Sequence, residues 1–224
     1  MAVYKAELDI GISQQRKRLE ERTFAEFFAG IGLMRLGLEN AGWRVKFAND
    51  IEKNKYDMYA AQFRNASEHF KLGDVHELSV EDIPSCTLAT ASFPCTDLSL
   101  AGMREGLSGK QSSAYWGFVR LLKELGERRP PFLLIENVPG FLTSHRGKDF
   151  LEATIALSNI GYAVDAAIID AAHFVPQSRV RLFIMATLKP KPRAWAVQET
   201  ATSSLSTPKY FGIFGSFQNF QSAI

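Results

Sequence analysis

A chain of 224 residues that is 46% hydrophobic, 22% charged and 12% aromatic can bury a core without disulfide staples, and is too short for a large multidomain machine. Its 26 Lys and Arg against 24 Asp and Glu leave a net charge of +2. That balance excludes a disordered polyelectrolyte and a protein that coats nucleic acid through bulk charge, while a local basic patch stays open. The cysteines, Cys86 and Cys95, do not make a disulfide scaffold, and no CxxC or HExxH pattern offers a structural zinc site. No signal-peptide stretch or membrane-length apolar run occurs, so an intracellular, cytoplasmic protein with reduced thiols is expected.

Residues 1–22 read as a polar, solvated leader. Thr23–Phe28 reads as a strand that ends in Ala29-Gly30-Ile31-Gly32. Leu33, Leu36, Leu38 and Ala41 then recur at roughly helical spacing until Gly42. Val45–Ala48 is a second strand, Lys53–Phe63 a helix, and a short strand precedes Gly73-Asp74. Cys86–Ser92, Phe132–Ile135, Tyr162–Ile169 and Val180–Ala186 read as further strands. Tyr115–Leu125 and Phe150–Leu157 read as helices, and a loop rich in Gly and Ser spans Ala101–Ser113. From Lys189 to Ile224 the chain has no clear period and reads as an irregular tail. Alternating strands and helices predict an α/β fold over 23–188: a doubly wound, mostly parallel, Rossmann-like sheet. In such sheets ligands bind beyond the carboxyl ends of the strands. Gly30, Asp50, Asp74, Cys95 and Glu136 each follow a predicted strand, so they are expected to converge on one crevice.

Glycines in Phe28-Ala29-Gly30-Ile31-Gly32 let the backbone approach a ligand, although a dinucleotide fingerprint would want glycine where Arg35 stands. Asp50 lies twenty residues after Gly30, where a carboxylate can take ribose hydroxyls; Asp74 is placed to accept from an adenine amino group. Each alone is an ordinary turn residue, and together they point to an adenosine-containing ligand. A P-loop fails, because Arg104 and Gln111 replace its glycine and hydroxyl around Gly109-Lys110. Cys95, fixed behind Pro94 in a polar loop, is placed for nucleophilic attack, whereas Cys86 reads as a small buried residue. Glu136 ends an apolar strand, and a desolvated crevice there would raise its pKa toward neutrality and make it a proton donor. Arg179 and Arg181, at strand spacing, face one side and suit carbonyl or phosphate oxygens.

The ordered set FAGIG, ND, GDV, FPCTDLS, ENVPGF and QSRVR, from Thr23 to Leu188, resembles the DNA (cytosine-5) methyltransferase family. The resemblance implies S-adenosylmethionine as cofactor and, as partner, double-stranded DNA with a cytosine flipped from the stack, as in DNA methylation by restriction-modification systems. Under it, Cys95 attacks C6 of cytosine, Glu136 hydrogen-bonds or protonates N3, Arg181 binds near O2, and Arg179 supports the site and the nucleic-acid backbone. Phe28 and the backbone of Gly30 and Gly32 cradle the cofactor and Asp50 takes its ribose. Ile51 and Val75 sandwich adenine, Asp74 binds the adenine amino group, and Pro94 borders the methyl donor.

The chain departs from the family where Thr96 replaces a frequent Gln, and where Ser112-Ser113 stands in place of Arg-Gly. Neither a target-recognition region nor the final Gly-Asn motif is recognisable in Lys189–Ile224. The reading therefore predicts the catalytic part of a methyltransferase, served by a complementing subunit or inactive alone. Its rivals are a truncated module that binds the methyl donor or a partner without catalysis, a tRNA-directed relative, and a nicotinamide oxidoreductase, which leaves Cys95 and the arginines unexplained.

Overall fold

The structure, a computed structural model, describes residues 21–94 and 114–189. Cys95 and the segment 96–113, most of the leader, and the tail from residue 190 lie outside the described residues. The elements run β1 (Thr23–Phe27), α1 (Leu33–Asn40), β2 (Arg44–Asp50), α2 (Lys53–Gln62), β3 (Phe70–Leu72) and β4 (Leu88–Ala91). They continue as α3 (Ala114–Glu124), β5 (Phe132–Asn137), α4 (Lys148–Asn159), β6 (Tyr162–Asp170) and β7 (Val180–Leu188). Among the described residues no helix is long and apolar enough to cross a membrane.

The strands form one sheet in the order β3-β2-β1-β4-β5-β7-β6. The first five are parallel, and β7 runs antiparallel to both β5 and β6. The chain winds outward from β1 to β3, then returns to β4 on the other side of β1. That reversal puts a topological switch point between β1 and β4, where the carboxyl ends of the strands leave a crevice.

Alternation along the strands sorts the sheet into two faces. Ala25, Phe27, Ala89, Ala91, Leu133, Ile135 and Ile184 share one buried cluster with Tyr115, Phe118, Leu121 and Leu122 of α3 and Leu157 of α4. The opposite face carries Phe24 and Leu88, clustered with Val45, Leu38, Trp43 and Leu134, and also Glu26, Thr90, Glu136 and Arg181. Burial of Phe24, Phe27, Phe118 and Ile135, each 0–1% exposed, stabilises the fold by about 2 kcal/mol per side chain.

Three local expectations change. Asp50 and Glu136 lie within strands rather than after them, because β3 pairs as far as Asp50 and β7 pairs through Asn137. Cys86 is buried but precedes β4. In α1, Leu33 and Leu36 are exposed (69% and 42%), and the buried side chain is Arg35.

Candidate active site

The strand-to-helix turn after β1 is left-handed at Phe28 (φ 55°), Gly30 (φ 56°) and Gly32 (φ 86°). It is closed by Gly32 N–H donating to Ala29 O, and Leu36 N–H to Gly32 O, both at 2.9 Å. Its two glycines serve different ends. Among the described residues a Cβ on Gly30 would meet nothing within 4 Å, so they leave this backbone open to a ligand. A Cβ on Gly32 would lie 2.4 Å from Phe63 Cε2 and 2.9 Å from Tyr59 Cδ2, so α2 presses directly on the turn.

Asp50, 4% exposed, accepts Gly30 N–H through Oδ2 and Glu52 N–H through Oδ1, both at 2.9 Å. It thus braces the turn against the end of β2, and each carboxylate oxygen retains a lone pair for a further donor. The neighbouring Asn49 side chain donates to Lys71 O (2.8 Å) and Gly73 O (2.9 Å), which brings the Gly73-Asp74 corner beside Asp50. Asp74 Oδ1 accepts His76 N–H at 2.9 Å, an Asx turn. Of the two expected adenine walls, Ile51 is 61% exposed and Val75 only 3%, packed in the core against Gly117.

At the other side of the switch point, Glu136 of β5 sits directly opposite Phe183 of β7, and Arg181 lies two residues along on the same face. Arg181 Nε reaches Glu136 Oε1 at 2.8 Å, with side chains 20% and 25% exposed. The desolvated crevice expected around Glu136 is therefore not its setting; its carboxylate is partly solvated and ion-paired. Arg179 precedes β7 and is exposed. Its N–H donates to Asp170 Oδ1 (2.7 Å), and Ser178 Oγ donates to Asp170 Oδ2 (2.8 Å). With the Ala172 N–H, these donors hold the Asp170 carboxyl below the usual range.

Phe28 and Phe93 meet edge to face, with centroids 6.3 Å apart, across the switch point. Pro94 is exposed. The fold thus gathers Phe28, Gly30, Gly32, Asp50, Ile51, Asp74, Val75, Pro94, Glu136 and Arg181 at one edge of the sheet. An open pocket of about 410 Å³ lies elsewhere, lined by Lys46, Glu68, Lys71, Asp82 and Arg128 among others, and holds none of these residues.

Sequence reasoning passed over three structural supports. Asn137 Nδ2 donates to Phe93 O (3.2 Å) while its Oδ1 accepts Val138 N–H (2.8 Å), tying the end of β5 to the backbone just before Pro94-Cys95. Its signal was the ENV motif itself. Glu26, 2% exposed in β1, accepts Arg35 N–H through Oε1 at 3.1 Å; burial pushes its pKa up to about 8. A carboxylate inside the apolar run Thr23–Phe28 was its signal. Arg35 is the third, its charge the only local hint.

A sheet with an antiparallel seventh strand inserted beside β5, a glycine turn after β1 and carboxylates at the next strand ends defines the S-adenosylmethionine-dependent methyltransferase fold. The Dnmt2 methyltransferase of S. pombe is similar in structure, with TM-score 0.61 and 26% identity over 84% of this chain and 57% of that one. The methyltransferase EhMeth of Entamoeba histolytica shares the fold at 23% identity, with TM-score 0.59, over 77% of this chain and 55% of its own. The family model of the C-5 cytosine-specific DNA methylases matches residues 22–220. The chain belongs to that family. It is 36% identical to the Type II methyltransferase M2.BsuMI of Bacillus subtilis (strain 168), over 74% of this chain and 42% of the relative. It is 34% identical to M.BsuFI of Bacillus subtilis, over 77% of this chain and 41% of the relative. The chain thus spans about two fifths of the length of these relatives.

Proposed function

We propose that this chain carries the catalytic part of a DNA methyltransferase that transfers a methyl group from S-adenosylmethionine to C5 of a cytosine flipped from duplex DNA. The observation that carries the reading is the Glu136–Arg181 ion pair between β5 and β7, on a strand end that Asn137 ties to the backbone before Pro94-Cys95.

The glycine turn fits the cofactor, since a Cβ at Gly30 would fill open space and the Asp50 carboxylate beside it can take two hydroxyls. Phe28, Gly30 and Gly32 would cradle it, Asp50 and Asp74 would take ribose and adenine amino hydrogen bonds, Ile51 would flank the base with the core-packed Val75 behind it, and Pro94 would border the donor end. When bound, the cofactor supplies an electrophilic methyl group. The Cys95 thiolate adds to C6 of the cytosine ring while Glu136, in its protonated form, donates to N3 through the oxygen that Arg181 leaves free and so draws electron density from the ring. Arg181 orients Glu136 and donates toward O2, and Arg179 contacts the nucleic-acid backbone. Addition would leave the electron pair at C5, where it could take the methyl group from the cofactor's sulfonium sulfur, which would depart as a thioether. Loss of the C5 proton to a base then restores the double bond and expels Cys95.

Target recognition would come from residues beyond the matched region, on a complementing subunit or on a longer form of this chain, in keeping with relatives whose length extends well beyond the match. The pure chain alone is then expected to show no robust turnover on mixed-sequence DNA. Duplex DNA containing 5-fluorocytosine, with S-adenosylmethionine and a complementing chain, should yield a covalent adduct that disappears in Cys95→Ser. A chain that binds S-adenosylmethionine but forms no adduct under those conditions is a binding module instead.

A further inference from the structure

Arg35 stands on the first turn of α1 and is 3% exposed. Its guanidinium Nε pairs with Glu39 Oε1 at 2.9 Å. Nη1 donates to Tyr59 Oη and to His69 Nε2, both at 3.0 Å, and Nη2 donates to Asn65 Oδ1 at 2.8 Å. The plane also stacks on Phe63, with Cζ 3.8 Å from the ring centroid, and lies 5.3 Å from that of Tyr59. A buried guanidinium is a costly way to join two helices; an aliphatic side chain would pack there without desolvating a charge. What the guanidinium adds is direction, because its donors are fixed in one plane. It fixes α2 and the connection into β3 relative to α1 at the same time.

The two rings it holds are the two that press on Gly32. Gly32 lies two residues from Gly30, whose N–H is held by Asp50. A continuous line of contact therefore runs from Arg35 through Phe63 and Tyr59 to the glycine turn. His69 takes part as a neutral acceptor, since burial, with the charge of Arg35, pushes its pKa down to about 4.

We propose that Arg35 is a positioning residue for the cofactor: by locking Tyr59 and Phe63 it sets the Gly30–Gly32 turn and Asp50 in the geometry that binds S-adenosylmethionine. This rests on the reading that the turn holds that cofactor. The test uses the full 224-residue chain, with S-adenosylmethionine titrated calorimetrically well below the melting temperature. Arg35→Met and Arg35→Lys should fold, by circular dichroism, and bind at least tenfold more weakly. Glu39→Gln, which removes only the half-exposed end of the network, should lower the melting temperature while leaving the Kd within twofold. A folded Arg35→Met that binds within twofold of wild type overturns the proposal. If Arg35→Met does not fold, Asn65→Ala and Phe63→Leu take its place, and unchanged affinity in both overturns it equally. Amide hydrogen exchange over residues 28–34 needs no ligand. It should quicken at least tenfold in the Arg35 variants, and unchanged exchange overturns the proposal even if the wild-type chain fails to bind S-adenosylmethionine, a failure that counts against the cofactor reading alone.

Discussion

Arg181 of β7 places its Nε 2.8 Å from Oε1 of Glu136 on β5, across two strands that run in opposite directions. The pair engages Oε1 of Glu136, and in the proposed reaction the other carboxyl oxygen meets the substrate. Glu136→Gln keeps the shape but removes the charge that Arg181 orients. Methyl transfer or adduct formation should fall about 100- to 10,000-fold, the range for a positioned acid or base, with cofactor affinity unchanged. Arg181→Ala should cost a similar factor. The double variant should lose much less than the product of the two, since both act through one contact. Multiplicative losses in a single-turnover assay would mean that the pair does not work as a unit.

The two glycines of the turn should separate stability from binding. Gly32→Ala forces a Cβ to 2.4 Å from Phe63 in a backbone at φ 86°. It should cost about 2–4 kcal/mol in urea unfolding, from overpacking and backbone strain together. Among the described residues Gly30→Ala meets no neighbour within 4 Å and bears only the strain of φ 56°, about 1 kcal/mol. It should melt near the wild-type temperature yet bind S-adenosylmethionine at least tenfold more weakly, because its methyl group occupies the ligand's side of the turn. Equal effects on melting would show that α2 does not press on Gly32.

Burial raises the Glu26 pKa from 4.5 to about 8, so the folded chain keeps a proton that the unfolded chain gives up. Its stabilisation is complete below pH 4.5 and is lost as pH rises toward 8. His69 works the other way: its pKa falls from 6.5 to about 4, so its contribution is present above pH 6.5 and is lost on acidification. The two slopes oppose one another between pH 4.5 and 6.5, and Glu26 acts alone above that. Stability should fall by about 2 kcal/mol between pH 6.5 and 8, at about 1.4 kcal/mol per unit for one proton. In Glu26→Gln that fall should vanish, and stability should instead rise from pH 4.5 to 6.5. Urea midpoints at three pH values decide it; a Glu26→Gln curve parallel to wild type would place the titration elsewhere.

The strands and most helices were legible because Phe24 to Phe27, Leu133 to Ile135 and Leu182 to Ala186 are short apolar runs closed by turn residues. The carboxylates at the strand ends were legible for the same reason. Arg35 was not. The leucines of α1 suggested the buried stripe, and the partners that draw Arg35 inward, Tyr59, Asn65 and His69, lie 24 to 34 residues away. The pairing of Glu136 with Arg181 was equally hidden. Each residue was placed near the site, but their contact depends on β7 turning back beside β5, which chain order does not reveal. The solvation of Glu136 followed from that same contact and was misjudged with it.

Asn137 gives the last prediction. It is 4% exposed, and its amide bridges Phe93 O and Val138 N–H, so it sets where the chain stands as it approaches Pro94 and Cys95. Asn137→Ala leaves the Phe93 carbonyl without its buried donor, which costs about 1–3 kcal/mol of stability. Asn137→Asp turns an acceptor toward that carbonyl and adds repulsion. In both variants S-adenosylmethionine should bind within threefold of wild type, because the glycine turn and Asp50 are untouched. Adduct formation with 5-fluorocytosine DNA in the presence of a complementing chain should slow about 10- to 100-fold, the scale expected when a reacting group is misplaced by about 1 Å. Adduct rates equal to wild type in a folded Asn137→Asp protein would mean that the loop bearing Cys95 is positioned from elsewhere.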